Sequence, residues 1–248
     1  MMIENILQDA IQHSRNIFKG KTSNKTYRNY TKLTPNKMAR YTPDNIRARE
    51  DKHDEFSDQL REINHITDKY RHCLFSSKHD EQLVGNCGEL TIAAFNYLAI
   101  HRYNDILRWF SKNGRGRGNE DYIMNPIYIL FLMFGDPYDH CIAVITHPRE
   151  TQHKPTLNHL YRALPDHSWV CDPWANIACS SEEYIARWQR KMSVWNSKGK
   201  ATSIYQEHQF EDYPSPATEE NLNAINYSIK RVVYMAEIRP HSRTKIIQ

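Results

Sequence analysis

The start of one helix is marked more clearly than any other point in the sequence. Residues 85–90 read GNCGEL, and the apolar run LTIAAFNYLAI begins at the last of them. Asn86 suits the N-cap, and Glu89 three residues later completes a capping-box pattern. The apolar positions then repeat at helical spacing, at Leu90, Ala93, Ala94, Tyr97 and Leu98. The pattern predicts a buried helix whose first residue is Cys87.

Composition limits the class of protein. The chain has 248 residues, 40 % of them hydrophobic, enough for one large domain or one domain with an added segment. Five cysteines, an odd number, occur without a CxxC pair, at positions 73, 87, 141, 171 and 179. Disulfide frameworks use even sets, and zinc sites use ligands at paired spacing. We therefore expect reduced thiols in a reducing compartment and no metal.

Neither a signal peptide nor a membrane span is expected. The first twenty residues have no basic start, no uninterrupted apolar run and no small-residue cleavage site. The longest apolar run, IYILFLMF, has eight residues, whereas a membrane-spanning helix needs about 20. We expect a soluble, cytoplasmic protein, or one that is secreted without a cleavable signal.

A helical extension over residues 1–75 is predicted to precede a main domain over 76–240. Apolar residues recur at helical spacing over 3–18 and over 51–71. Between these segments, residues 19–49 carry nine Lys and Arg side chains and a single acid. Such a stretch could bind nucleic acid, anionic lipid or an acidic protein. A solvated, mobile arm is the favoured interpretation.

The second half of the chain alternates strand and helix patterns. A glycine- and arginine-containing linker is predicted at 111–121, and two strands at 126–134 and 139–147 are joined by the turn GDPY. A third strand (168–174), a helix that begins after Ser180, a loop (196–217), a short helix (218–225) and a last strand (228–239) follow. This order predicts an α+β domain with an antiparallel sheet.

Three polar residues lie at the ends of predicted elements. Cys87 begins a helix, His140 opens a strand and Asp172 ends the next one. A thiol nucleophile needs a base, and the base needs an orienting group. The helix N-terminus would lower the pKa of the thiol, and Asp172 would accept the Nδ1 proton of His140. Cys141 and Cys171 are expected to point to the opposite face as core residues.

These motifs resemble those of a known superfamily. GNCGEL before a helix, DHCIAVI on a strand and WVCDPWAN on the next are similar to the Cys-His-Asp triad of papain-like and transglutaminase-like enzymes, especially their bacterial effector and toxin branches. The resemblance covers about residues 82–178 and extends at most to 238. It implies Cys87 as nucleophile at the start of a central helix, His140 as general base and acid, and Asp172 as orienter.

The resemblance departs from the family pattern at the oxyanion site. Papain-like proteases carry a Gln six residues before the nucleophile, whereas Gln82 lies five residues before Cys87. Gln82 is the first candidate for this donor, followed by Asn86 and by backbone N–H groups. Residues 148–167 are expected to form an insertion beside the cleft, which Trp174 is expected to line.

The predicted activity is attack by a thiol on an amide to give a thioester. The chain would then be a cysteine protease, a protein glutamine deamidase or a transglutaminase, without a cofactor, acting on a protein substrate. The effector resemblance implies a host protein in the host cytosol as that substrate. Nucleic acid is not an expected partner. One alternative is a non-catalytic binding module of the same fold that uses the basic stretch. Another is an acyltransferase with a coenzyme A donor, for which only the GRGRG loop offers a hint.

Overall fold

The computed structural model describes residues 2–113, 125–135, 138–148, 153–202, 213–240, 242 and 244–248. The helices in this part of the chain are α1 (Ile3–Ile17), α2 (Pro35–Met38), α3 (Pro43–Arg61), α4 (Ile66–His79), α5 (Cys87–His101), α6 (Tyr103–Asn113), α7 (Ser181–Ser197) and α8 (Glu219–Tyr227). The strands are β1 (Lys25–Tyr27), β2 (Ile127–Phe134), β3 (Cys141–Thr146), β4 (Leu160–Tyr161), β5 (Trp169–Asp172), β6 (Ile177–Ser180), β7 (Lys200–Thr202), β8 (Lys230–Ile238) and β9 (Lys245–Ile247).

The main sheet has seven strands, and all its neighbours are antiparallel. Its order is β4-β8-β2-β3-β5-β6, and β9 lies beside β8. The predicted hairpin is present, because Tyr128 lies opposite Thr146 and Met133 lies opposite Cys141. The α+β class is therefore confirmed. The second half also matches the predicted pattern in β5, α7, α8 and β8, whereas β6 was not predicted.

Helix α5 lies at the centre of the molecule. Its apolar residues face neighbours on every side, which is typical of a helix inside a core. It packs against β2 and β3, and α1 packs against α5, β5 and β6. Ile3, Ile6 and Leu7 of α1 are completely buried in the same cluster. The first helix is therefore part of the core that holds Cys87; the division into 1–75 and 76–240 stays a prediction.

The mobile-arm interpretation of the basic stretch is wrong for residues 22–27. Ser23 and Thr26 are buried, and β1 pairs with β7 so that Thr26 lies opposite Ala201. The predicted loop at 196–217 likewise contains the end of α7 and strand β7, while 203–212 lie outside the described residues. Both short strands were missed because each supplies the other's hydrogen bonds from far along the chain.

The helix predicted over 51–71 is two helices. Helix α3 begins at Pro43, where the Thr42 hydroxyl accepts a hydrogen bond from the N–H of Asn45, and it ends at Arg61. Helix α4 then starts at Ile66. The apolar spacing continues through the break, so periodicity alone did not reveal it. Thr42 at the N-cap and Pro43 at the first position are residues that commonly begin helices.

Several predicted connections lie partly outside the described residues. These are positions 114–121 of the glycine- and arginine-containing linker, the middle of the GDPY turn and residues 149–152 of the insertion. The described remainder of the insertion includes β4, which pairs with β8. No helix in the described part of the chain is long and apolar enough to cross a membrane.

Candidate active site

Cys87 is the first residue of α5, as predicted. The carboxylate of Glu89 accepts the N–H of Asn86 at 2.8 Å, which is one half of the capping box. The same carboxylate lies 3.2 Å from Nε2 of His53 on α3. The Cys87 thiol donates to the carbonyl oxygen of Asp139 at 3.4 Å, so the nucleophile candidate lies against the residue before His140.

The pairing of β3 with β5 brings His140 and Asp172 together. Because the strands are antiparallel, the start of β3 lies beside the end of β5, and the two side chains flank that edge. His140 Nε2 lies 3.0 Å from Oδ2 of Asp172. The predicted contact through Nδ1 is therefore wrong. Among the described residues Nδ1 has no hydrogen-bond partner, which leaves this nitrogen to face the neighbouring thiol.

Asp172 is held by three donors. Besides His140, the hydroxyl of Tyr184 donates to Oδ2 at 2.8 Å, and the N–H of Ala175 donates to Oδ1 at 2.8 Å. Burial alone would raise the pKa of this carboxyl, but the charge of His140 and these hydrogen bonds lower it. Asp172 therefore stays ionised although it is fully buried.

His140 and Cys87 respond to this environment in the same direction. Burial would lower the pKa of His140, but the Asp172 carboxylate outweighs it, so the pKa is raised. The pKa of Cys87 is also raised, by a hydrogen bond with Cys141 and by burial, and His140 opposes this only in part. The predicted lowering of the thiol pKa is therefore wrong for this closed arrangement, because contact with Cys141 and burial both raise it.

Cys141 is a buried core residue as expected, but the expectation that it points away from the site is wrong. Its thiol meets Cys87, since β3 begins only at Cys141 and strand alternation does not apply to His140 before it. Cys171 follows the expectation, because it is completely buried and its thiol faces the Leu7 carbonyl oxygen of α1 at 3.7 Å.

The oxyanion candidates differ in their surroundings. The Asn86 side chain accepts the N–H of Ser23 at 3.0 Å and donates to the Ser23 hydroxyl at 2.9 Å. It therefore ties residues 22–27 to the start of α5 and is not free to bind an oxyanion. Gln82 is exposed and lines a cavity next to the site, and the hydrogen bond of the Cys87 thiol goes to Asp139 instead. Its role as a donor stays a prediction.

Trp174 is packed under the N-terminal segment. It is 1 % exposed, and its indole N–H donates to the Asn24 side chain at 2.8 Å. The Lys25 ammonium donates to the Trp174 carbonyl at 2.8 Å and lies 4.2 Å from the centre of its ring. Trp174 therefore forms a wall between the buried site and the N-terminal segment. In this closed state its ring is not an open cleft surface.

Sequence reasoning missed several residues of this site. An aromatic shell surrounds the imidazole of His140, with ring centres 5.2 to 5.4 Å away, formed by Phe134, Trp174 and Trp188. Tyr184 and Trp188 are buried residues of α7. Their spacing of four places both on one helix face, but nothing local in the sequence indicates that Asp172 lies opposite.

Comparisons with known proteins give no match for this chain, whether among family models, curated proteins or solved structures. The resemblance to papain-like and transglutaminase-like enzymes therefore stays a prediction. Among the described residues, no group of three or more His, Cys, Asp or Glu side chains could hold a metal ion.

Proposed function

We propose that the protein is a thiol-dependent enzyme that transfers acyl groups from amides, with Cys87, His140 and Asp172 as its catalytic residues. The observation that carries this proposal is the buried His140–Asp172 pair, 3.0 Å apart, beside a cysteine at a helix N-terminus. Hydrolysis of a peptide bond, deamidation of glutamine and transamidation share this machinery. A protein is the proposed substrate, and its source in a host cell stays a prediction.

The proposed reaction begins from the form in which Cys87 and His140 hold one proton between them. In the reactive state Cys87 is a thiolate and His140 is an imidazolium. The Cys87 sulfur attacks the amide carbonyl carbon, and the imidazolium of His140 gives its proton to the departing nitrogen as the C–N bond breaks. A thioester on Cys87 results. Water or an amine then attacks it while His140 accepts the attacking group's proton, and the sulfur leaves.

Two features of the site suit these steps. Asp172 holds the imidazole through Nε2 and leaves Nδ1 on the side of the thiol, so one nitrogen serves orientation and the other proton transfer. The first N–H groups of α5 have no partners within the helix and point toward its N-terminal end. They would bind the oxyanion that forms at the carbonyl.

Substrate needs an opening that the present arrangement lacks. Cys87, His140 and Asp172 are each at most 4 % exposed. Among the described residues, segment 22–27 lies next to the site, because it contacts Asn86 through Ser23 and Trp174 through Asn24 and Lys25. We therefore place access to Cys87 under the control of this segment.

The burial of Cys87, His140 and Asp172 also supports the alternative that the protein is a non-catalytic binding module. A module that never turns over substrate has no need to expose Cys87, and the raised pKa of the thiol reduces its reactivity. In that case the basic residues of 19–49 would carry the function. The alternative is the weaker of the two, because a pure binding module does not need a buried His–Asp pair next to a cysteine.

The test uses p-nitrophenyl acetate as an activated acyl donor, which does not depend on the natural substrate. We expect the wild-type protein to form an acetyl thioester on Cys87, read by intact-protein and peptide mass spectrometry, and to release it by hydrolysis. Cys179→Ala, which removes another buried thiol, should behave as wild type. Asn24→Ala, which removes the Trp174 contact, should speed acylation. An acetyl group that is absent from Cys87 in both wild type and Asn24→Ala would refute the proposal.

Casein with an added alkyl amine then separates the three activities. Cleaved peptides indicate a protease, conversion of Gln to Glu a deamidase, and incorporated amine a transglutaminase. Each product should disappear in Cys87→Ala and remain in Cys179→Ala.

A further inference from the structure

A cavity of about 760 Å³ lies next to the candidate active site, on the other side of Trp174. Its wall is formed by the end of α1, residues 18–27, the region from 36 to 52 and Lys200 of β7. We call it the basic cavity, because nine of its lining residues are Lys or Arg: Arg15, Lys19, Lys21, Lys25, Lys37, Arg40, Arg49, Lys52 and Lys200.

Within the described part of the chain, almost none of this charge is neutralised. The described lining residues include neither Asp nor Glu. Among the described residues only Lys52 of the nine has a carboxylate partner, Asp80, at 3.2 Å. The basic cavity therefore concentrates positive charge that the described protein does not compensate, which is unusual for side chains that converge on one volume.

The cations are close enough to repel one another. Burial and then the charges of Lys198, Arg15, Lys191 and Lys37 together lower the pKa of Lys200 to about 8. The pKa of Lys21 is lowered by burial and then by Arg15 and Arg40. Each of these groups would be stabilised by an anion placed between them.

Arg49 offers hydrogen-bond donors as well as charge. Its Nε and Nη2 atoms are buried and have no hydrogen-bond partner among the described residues. The guanidinium lies 4.7 Å from the ring centre of Tyr41, which holds its plane in one orientation. A buried guanidinium with donors to spare is suited to an oxyanion ligand, since each N–H that is left unpaired in the interior is unfavourable.

The backbone that carries two of the lysines is held in place. The N–H of Gly20 donates to the carbonyl of Leu83 at 3.0 Å, and the N–H of Gly85 donates to the carbonyl of Lys21 at 3.2 Å. A Cβ at position 20 would lie 2.0 Å from the carbonyl oxygen of Gln82, so only glycine permits this approach. Lys19 and Lys21 therefore project from a fixed segment, which reduces the entropy lost when a ligand binds.

We propose that the basic cavity binds a small polyanion that carries several phosphate groups. Its volume is in the range of roughly 300–1,000 Å³ that small-molecule sites occupy. Several Lys and Arg side chains around one half-open cavity match a ligand with clustered phosphates better than a single carboxylate or an extended strand. Since Trp174 borders both sites, the bound ligand would stabilise the wall that covers Cys87.

The probe is inorganic tripolyphosphate, titrated by calorimetry into the full chain with Cys87→Ala at about 0.15 M salt, where weak surface attraction is screened. We expect one site per chain. The test variant Lys21→Gln/Lys37→Gln/Arg40→Gln removes three cavity charges from exposed positions and should weaken binding by about 100-fold or more. The matched control Lys78→Gln/Lys112→Gln/Arg190→Gln removes the same residue types outside the cavity and should change Kd less than about threefold.

The proposal is overturned if tripolyphosphate does not bind, or if both triple variants weaken binding equally, since net charge alone would then explain it. Arg40→Gln alone repeats the test with a smaller change if the triple variant does not fold, as judged by circular dichroism. Orthophosphate and a single-stranded oligonucleotide identify the class of ligand. Weaker binding of both than of tripolyphosphate supports the proposal, whereas tighter, cavity-dependent binding of the oligonucleotide replaces the small molecule with nucleic acid.

Discussion

The buried site at His140 and the basic cavity share Trp174 as a wall but treat charge in opposite ways. In the first, the Asp172 carboxylate is paired with His140 and accepts two further hydrogen bonds. In the second, eight of nine cations have no carboxylate partner among the described residues. Paired charges fix the orientation of a catalytic group, whereas unpaired charges remain able to bind a ligand of opposite charge. Removing a charge should therefore lower the free energy of unfolding at the buried site and raise it at the basic cavity.

The largest effect is expected from Asp172→Asn. It leaves the buried imidazole of His140 without its counter-charge, and breaking a buried pair typically costs about 3–5 kcal/mol. Urea unfolding at neutral pH measures the loss. The exposed pair of Asp58 with Arg61 is the control, since Asp58→Asn should cost less than about 1 kcal/mol. A loss at Asp172 no larger than at Asp58 would contradict the paired-charge account.

The same variant should change the dependence of stability on pH. In the wild type, the lowered pKa of Asp172 adds stability above its ordinary pKa that is lost as pH falls through the folded value. The raised pKa of His140 adds stability that is full below its ordinary pKa and is lost as pH rises through the folded value. In Asp172→Asn burial, the largest influence on His140, is opposed only by Cys87, so the pKa should be lowered and the free energy of unfolding should instead increase as pH rises towards about 6.5.

The sequence predicted one of these regions far better than the other. Cys87, His140 and Asp172 each lie at the end of a strongly patterned element, and an antiparallel sheet brings such ends together. Two details were predicted wrongly: the ring nitrogen through which His140 contacts Asp172, and the direction in which the pKa of the Cys87 thiol shifts. Both depend on contacts, with Tyr184 and Cys141, between residues that are far apart in the sequence.

The basic cavity illustrates what pattern reasoning could not supply. The excess of charge over residues 19–49 was visible, but its arrangement depends on β1 pairing with β7 and on the close approach of Gly20 to Gln82. A three-residue strand has no pattern of its own, so the segment was interpreted as an arm.

A moderate effect is expected where the two regions meet. Glu89 caps the helix of Cys87 and pairs with His53, one residue after Lys52 of the basic cavity. Glu89→Gln keeps the shape of the side chain and removes its charge. The free energy of unfolding, measured in urea, should therefore fall by about 1–2 kcal/mol. Glu55→Gln, an exposed change on the same helix as His53, should be near neutral. Equal effects would show that Glu89 does not connect the regions.

The smallest effect should have the opposite sign. Lys21→Gln removes one unpaired cation, so at low salt the free energy of unfolding should rise by about 0.5 kcal/mol or less and the gain should vanish in concentrated salt. The direction follows from the lowered pKa of Lys21, which means that folding disfavours its charged form. Lys78→Gln, outside the cavity, should show no such gain. A salt-dependent loss at Lys21 would imply a hidden acidic partner.

The central claim is that the Cys87 thiol is coupled to His140 on one side and to Cys141 on the other. The rate of iodoacetamide alkylation at Cys87, followed over pH by peptide mass spectrometry, tests it directly. The wild-type midpoint should lie above the ordinary thiol value of about 8.5. His140→Gln should raise this midpoint, because the side-chain contact with His140 lowers the thiol pKa, and Cys141→Ala should lower it. A wild-type midpoint below 8.5, or one that neither substitution moves, would contradict the account.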